Sequence, residues 1–162
     1  MINKDYFKQT RILDGGMGQE LLARGMKPNS TLWSANAILD TNYHQLVLDT
    51  HLDFIKAGAE IIVTTTFATR QKRLKENNLL DKFEYLNQKA GEIAQAAKKK
   101  FPNTLVAGGI PPQNSTYEAD DRDKTEIIEN FNSQGKALNQ YVDFFYFDVW
   151  SSIKEVECGI EA

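Results

Sequence analysis

The chain has 162 residues, 41% hydrophobic and 25% charged, with four prolines, one cysteine and a formal net charge of −3. That length fits one domain, spanning residues 1–162, with a substantial core, and the balance of apolar and charged residues excludes a disordered chain. The slight negative charge leaves no footprint for nucleic acid, no stretch approaches the ~20 apolar residues of a membrane span, and Cys158 alone cannot form an internal disulfide or a cysteine-rich metal site.

In chain order, Met1 to Tyr6 lacks the apolar core of a secretory signal, so a cytoplasmic location is expected. Arg11-Ile-Leu-Asp-Gly-Gly-Met-Gly18 then runs a short apolar strand into three glycines. Nearly continuous apolar runs predict strands over 12–15, 60–67, 104–110 and 143–149, as in parallel strands buried on both faces. Helices are predicted between them. Residues 41–57 carry Leu48, Leu52 and Ile55 at helical spacing, with Gly58 placed to end the helix. Residues 81–100 repeat Phe83, Leu86, Ala90, Ile93 and Ala97 and stop before Pro102, and the basic run Lys98 to Lys100 complements that helix's dipole. Asp123 with Glu126 opens a third helix through Phe131 and Leu138, and Ser152 with Glu155 opens a fourth over 151–162.

The alternation β-α-β-α-β-α-β-α predicts an α/β protein with a parallel sheet. Polar and glycine residues gather at the carboxyl ends of the strands: Asp14, Gly15 and Gly16, then Thr64 to Thr66, Gly108 and Gly109, and Asp148. That end hosts ligands in α/β barrels and open sheets alike. Two long excursions above it, around Trp33 and around Tyr117, are expected to carry substrate contacts.

The glycine cluster does not complete G-x-G-x-x-G, because position 21 is Leu21, and it lacks the Lys-Ser/Thr ending of a P-loop. It reads either as the floor of a small polar pocket or as a tight turn that needs positive φ. A carboxylate at Asp14 favours an ammonium or hydroxyl over a phosphate. Asp14 and Asp148 together suit amino-group binding or acid–base work, and each alone suits capping equally well. His44 and His51 are seven residues apart, which is not metal-pair spacing, so packing and capping are expected of both. Trp33, Tyr117 and Trp150 are either packing residues or an aromatic enclosure for a cationic methyl group. No lysine ends a strand, which argues against Schiff-base chemistry, and no nucleophile elbow supports a Ser-His-Asp triad.

Several of these runs, taken together, resemble the homocysteine S-methyltransferase family. The resemblance lies in Ile12 to Gly18 with Glu20, Leu21, Arg24 and Gly25, then Leu32 to Ala35, His51 ahead of Ala57 to Ala59, and Thr64 to Phe67. It continues through Val106 to Gly109, Gln134, and Phe147 with Asp148. It implies parallel units of a TIM-type (β/α)8 barrel and methyl transfer to the homocysteine thiol to give methionine. It also implies zinc held by cysteine thiolates, with a sulfonium, ammonium or folate methyl donor. By position it assigns Asp14, Gly15, Gly16, Thr65 and Asp148 to substrate binding, with no catalytic residue among them. Asp148 stands where the family usually has glutamate, one methylene longer, Thr65 where many members have asparagine, and Phe67 where many have tyrosine.

A full barrel takes roughly 250 residues, so about four units, a half-barrel, are expected here. The family's zinc cysteines belong to the second half, and Cys158 is expected to be a packing residue. Zinc chemistry would therefore need a complementing half-barrel, from another polypeptide or another copy, and the two open sheet edges favour self-association. Two further readings stand beside this one. The first is a non-catalytic half-barrel holding an amino-acid-like ligand. The second is a zinc-independent barrel enzyme using Asp14 and Asp148.

Overall fold

The computed structural model describes Ile2 and residues 4–162. Its helices and strands run in the order α1 (Met17–Ala23), α2 (Ala35–Leu39), α3 (His44–Lys56), β1 (Ile61–Val63), α4 (Gln71–Glu76), α5 (Phe83–Lys100), β2 (Leu105–Ile110), α6 (Lys124–Leu138), β3 (Phe144–Phe147) and α7 (Ile153–Glu161). The sheet is parallel in the order β1-β2-β3, with Ile61 beside Leu105 and Ala107 beside Phe144. Leu13 adds a single parallel bridge to Ile61 on the free side of β1. Parallel pairing forces a crossover after each strand, and the helices supply it.

The predicted strands are shorter than their apolar runs. The first keeps only the Leu13 bridge, because beyond it the chain turns at Gly16 into α1. The second ends at Val63, since threonine hydroxyls take over from the backbone ladder there. Gly109 N–H donates to Thr64 Oγ1 at 3.0 Å, and Thr66 Oγ1 donates to Gly109 O at 2.7 Å. The fourth ends at Phe147, and two residues later Val149 takes φ 61°, outside any strand conformation. β2, flanked on both sides, is buried from Val106 to Ile110, whereas β3 alternates, with Phe145 and Phe147 39% and 37% exposed. An edge strand has one neighbour in the sheet, so continuous burial does not extend to it.

The predicted caps form. Gly58 follows α3 at φ 114°, Asp123 Oδ1 accepts the Thr125 N–H at 2.8 Å, and Ser152 Oγ accepts the Glu155 N–H at 3.3 Å. The short helices α1, α2 and α4 were not anticipated, because five to seven residues carry too little periodicity to announce themselves. One part of the core, with Leu21, Ile38, Val47, Leu74 and Leu86, lies among α1 to α5, and the rest lies between the sheet and its helices. Leu52, Ile62, Ala94 and Val106 join α3 and α5 to the strands, and Ile110, Ile127, Phe131, Leu138 and Cys158 join α6 and α7 to β2.

A buried polar network locks the layers behind the strand ends. From α6, Gln134 Nε2 donates to Thr66 O and to Asn87 Oδ1 on α5, both at 3.1 Å, while its Oε1 accepts from Gln113 Nε2 at 2.8 Å. All four residues are fully buried, so each lost partner exposes the desolvation cost of the group left behind. Gln134→Leu is expected to destabilise the fold by about 2–4 kcal/mol, read as a lower urea midpoint. An unchanged midpoint would show that the network carries no stability.

Candidate functional site

A cavity of about 430 Å³ opens over the carboxyl ends of the strands. Asp14, Gly15, Gly16, Thr65 and Asp148 all line it, so the five residues singled out in the sequence meet in one place. Trp33, Phe67, Tyr117, Tyr146 and Val149 complete much of its wall. Not every strand end takes part. Gly108 and Gly109 lie outside the cavity, because a Cβ there would stand 2.9 Å from the Phe145 ring and 2.8 Å from Val63 Cγ1. Their small size lets strands and side chains pack closely; they do not admit a ligand.

The glycine cluster has a different cause from the expected positive φ. Among the described residues only Gly25 and Gly58 are glycines with positive φ. Gly15 is required by the Phe54 ring, 2.7 Å from where a Cβ would stand, and Gly18 by the Trp33 indole at 2.5 Å. Gly16 has nothing within 4 Å of that position, so its backbone stays open to the cavity. Four non-glycine residues among those described take positive φ: Trp33 at 50°, Tyr117 at 67° and Val149 at 61° line the cavity, and Asn78 at 56° lies away from it. Backbone strain of this kind costs on the order of 1–3 kcal/mol per residue and gathers at ligand sites. Trp150, by contrast, faces away. It stacks on Phe147 and Phe131 and donates its indole N–H to Ile110 O at 2.6 Å, so it encloses no ligand here.

Asp14 sits at the floor. Its side chain is 4% exposed, its Oδ2 accepts the Val63 N–H at 2.9 Å, and its own N–H donates to Ile61 O at 3.0 Å. Burial raises its pKa from 3.8 to about 7, the Val63 hydrogen bond pulls the other way, and the charge of Asp148 adds to the rise. Asp148, half-buried, is itself raised by desolvation, and its N–H donates to Ile110 O at 3.0 Å. Among the described residues no Lys or Arg lines the cavity, so its fixed charge is negative or neutral. Thr65 Oγ1 is buried and has no hydrogen-bond partner, a free hydroxyl on the wall. Two wall residues escaped the sequence reading. Tyr146 lies two positions before Asp148, and strand alternation carries that signal; Val149 turns inward only through its left-handed backbone.

The homocysteine S-methyltransferase family model matches residues 11–162. The chain belongs to the homocysteine S-methyltransferase family. It is 37% identical over 109 residues to homocysteine S-methyltransferase 2 of Zea mays, covering 67% of this chain and 32% of that protein. It is 31% identical over 149 residues to S-methylmethionine–homocysteine S-methyltransferase BHMT2 of Rattus norvegicus, covering 91% of this chain and 38% of that one. The chain thus spans well under half the length of these relatives. Among solved structures, the metallated homocysteine methyltransferase MmuM of Escherichia coli matches with a TM-score of 0.83 at 25% identity, over 96% of this chain and 59% of that one. The parallel βα units are therefore those of the TIM-barrel methyltransferase fold.

For this family member, zinc is the metal the resemblance implies. Among the described residues no three His, Cys, Asp or Glu side chains gather as a metal-holding group. Cys158 is 1% exposed and packs against Ile110, Ile127 and Phe131. The described residues of this chain do not fit a zinc ion. No helix among the described residues is long and apolar enough to cross a membrane.

The raised pKa of Asp14 has a consequence for stability. Between pH 3.8 and about 7 the folded chain keeps a proton that the unfolded chain releases. The contribution of Asp14 is therefore fully present below the lower value and is lost as the pH rises through the upper one. Asp14→Asn keeps the acceptor for Val63 and cannot ionise. It is expected to stabilise the fold at pH 8 by on the order of 4 kcal/mol, with the gain nearly gone near pH 4. Urea titrations at the two pH values test this, and equal gains at both would refute it.

Proposed function

We propose that the chain holds homocysteine by its amino-acid end for methylation at sulfur. One observation carries this reading: two carboxylates and an open glycine backbone converge on a small cavity that no cation lines. Burial raises the cost of ionising both carboxylates, the charge of Asp148 adds to the cost for Asp14, and a ligand ammonium between them relieves both. The arriving ammonium ionises Asp14, whose proton leaves to solvent. The open backbone at Gly16 is assigned to the ligand carboxylate, and the free Thr65 hydroxyl to a hydrogen bond along the amino-acid frame. Trp33 and Tyr117 form the aromatic rim, suited to a cationic methyl donor.

The reaction is displacement: a bond forms between the homocysteine sulfur and the methyl carbon, the methyl–donor bond breaks, and the thiol proton goes to solvent. The rat relative is named for S-methylmethionine, so a sulfonium is the first donor to try. Zinc and the thiolates that hold it would come from a complementing set of βα units, on a further stretch of polypeptide or another copy. A cytoplasmic location is part of the same proposal.

Calorimetry with L-homocysteine tests the binding claim. Asp148→Ala is expected to weaken binding at least about tenfold, the loss of a buried charge-assisted hydrogen bond. 4-Mercaptobutanoate, which lacks the ammonium, is expected to bind correspondingly weakly. Equal binding of the two thiols would overturn the reading.

A further inference from the structure

His51 has no part in the scheme above, yet its placement is costly. Its side chain is 0% exposed, and neither ring nitrogen has a hydrogen-bond partner. A buried donor or acceptor left unpaired costs about 1–3 kcal/mol, and its neighbours on α3, Val47 and Leu52, are core residues that would accept an apolar side chain in its place. Its Nδ1 stands 3.9 Å from Asp14 Oδ2, roughly 1 Å beyond hydrogen-bond distance. Oδ2 already accepts the Val63 N–H, and a carboxylate oxygen takes two donors.

We infer that His51 is the positioning residue for Asp14: in its Nδ1–H tautomer it donates to Oδ2 whenever Asp14 is ionised, leaving the carboxylate's remaining lone pairs to a ligand ammonium in the cavity. The groups around Asp14 leave this role to His51. Asp148 and Tyr146 face it from the β3 end, Val63 N–H from β1, and no Lys or Arg lines the cavity. Burial holds the imidazole pKa down at about 4, so the ring stays neutral at pH 7. The Asp14 proton therefore goes to solvent, and His51 acts as a hydrogen-bond donor without gaining charge. The identity of the ammonium ligand rests on the proposed homocysteine reading; the contact between His51 and Asp14 does not.

Carboxyl-carbon NMR titration of Asp14 in the ligand-free chain, with nitrogen NMR of His51, tests the inference. His51→Leu is expected to raise the Asp14 midpoint by about half to one unit and to weaken L-homocysteine binding at pH 7 about five- to tenfold. His51→Asn, whose amide places an N–H near the position of Nδ1, is expected to restore both. In the parent chain, Nδ1 should carry the proton once Asp14 has ionised. A folded His51→Leu chain with an unshifted midpoint overturns the inference, and so does an Nε2–H tautomer at pH 9. If His51→Leu does not fold, the parent tautomer alone decides. If the parent fails to bind L-homocysteine, the functional reading falls while the titration still judges His51.

Discussion

Asp14 ties the first strand to β1 twice, once through its N–H on Ile61 O and once through its carboxylate on the Val63 N–H. With the Glu60 and Ile61 N–H groups donating to Ile12 O, those two bonds hold a segment that contributes only one bridge to the sheet. They also trap a carboxylate in a site that disfavours its charge. The fold accepts that cost because the group is hydrogen-bonded, and the rest of the cavity is arranged around it.

Around this floor the backbone departs from regular structure in a consistent way. Thr64 and Thr66 replace ladder bonds with hydroxyl bonds to Gly109, which frees the following residues to leave the sheet. Three bulky residues in left-handed conformations then aim their loops over the opening. Strain of that order persists only where the surroundings over-determine it. The Gln134 network supplies such a frame by fixing Thr66, Asn87 and Gln113 from behind.

The electrostatics of the cavity narrow its chemistry more than its shape does. Acidic groups with no balancing cation select a cationic headgroup, and the family to which the chain belongs acts, by its name, on an amino acid bearing a thiol. The same chain offers no cluster of metal ligands among its described residues. In the function proposed above, holding the amino acid and activating its sulfur are separable tasks, and Asp14 and Asp148 serve the first.

Local pattern sufficed for the long helices α3, α5, α6 and α7, for β1 to β3 and for the caps at Asp123, Ser152 and Gly58, and with the family resemblance it pointed to Asp14, Gly15, Gly16, Thr65 and Asp148, which line the cavity. These features are legible because periodicity, capping and strand-end chemistry are written within a few residues of one another. Tertiary structure decided the rest. It set Gly108 and Gly109 against Phe145 and Val63, turned Trp150 onto Phe147, and brought His51 beneath Asp14 across 37 residues of chain. Each of these depends on strand register and on which face of a helix meets the sheet, and both are fixed by packing between distant segments that no local run of residues records.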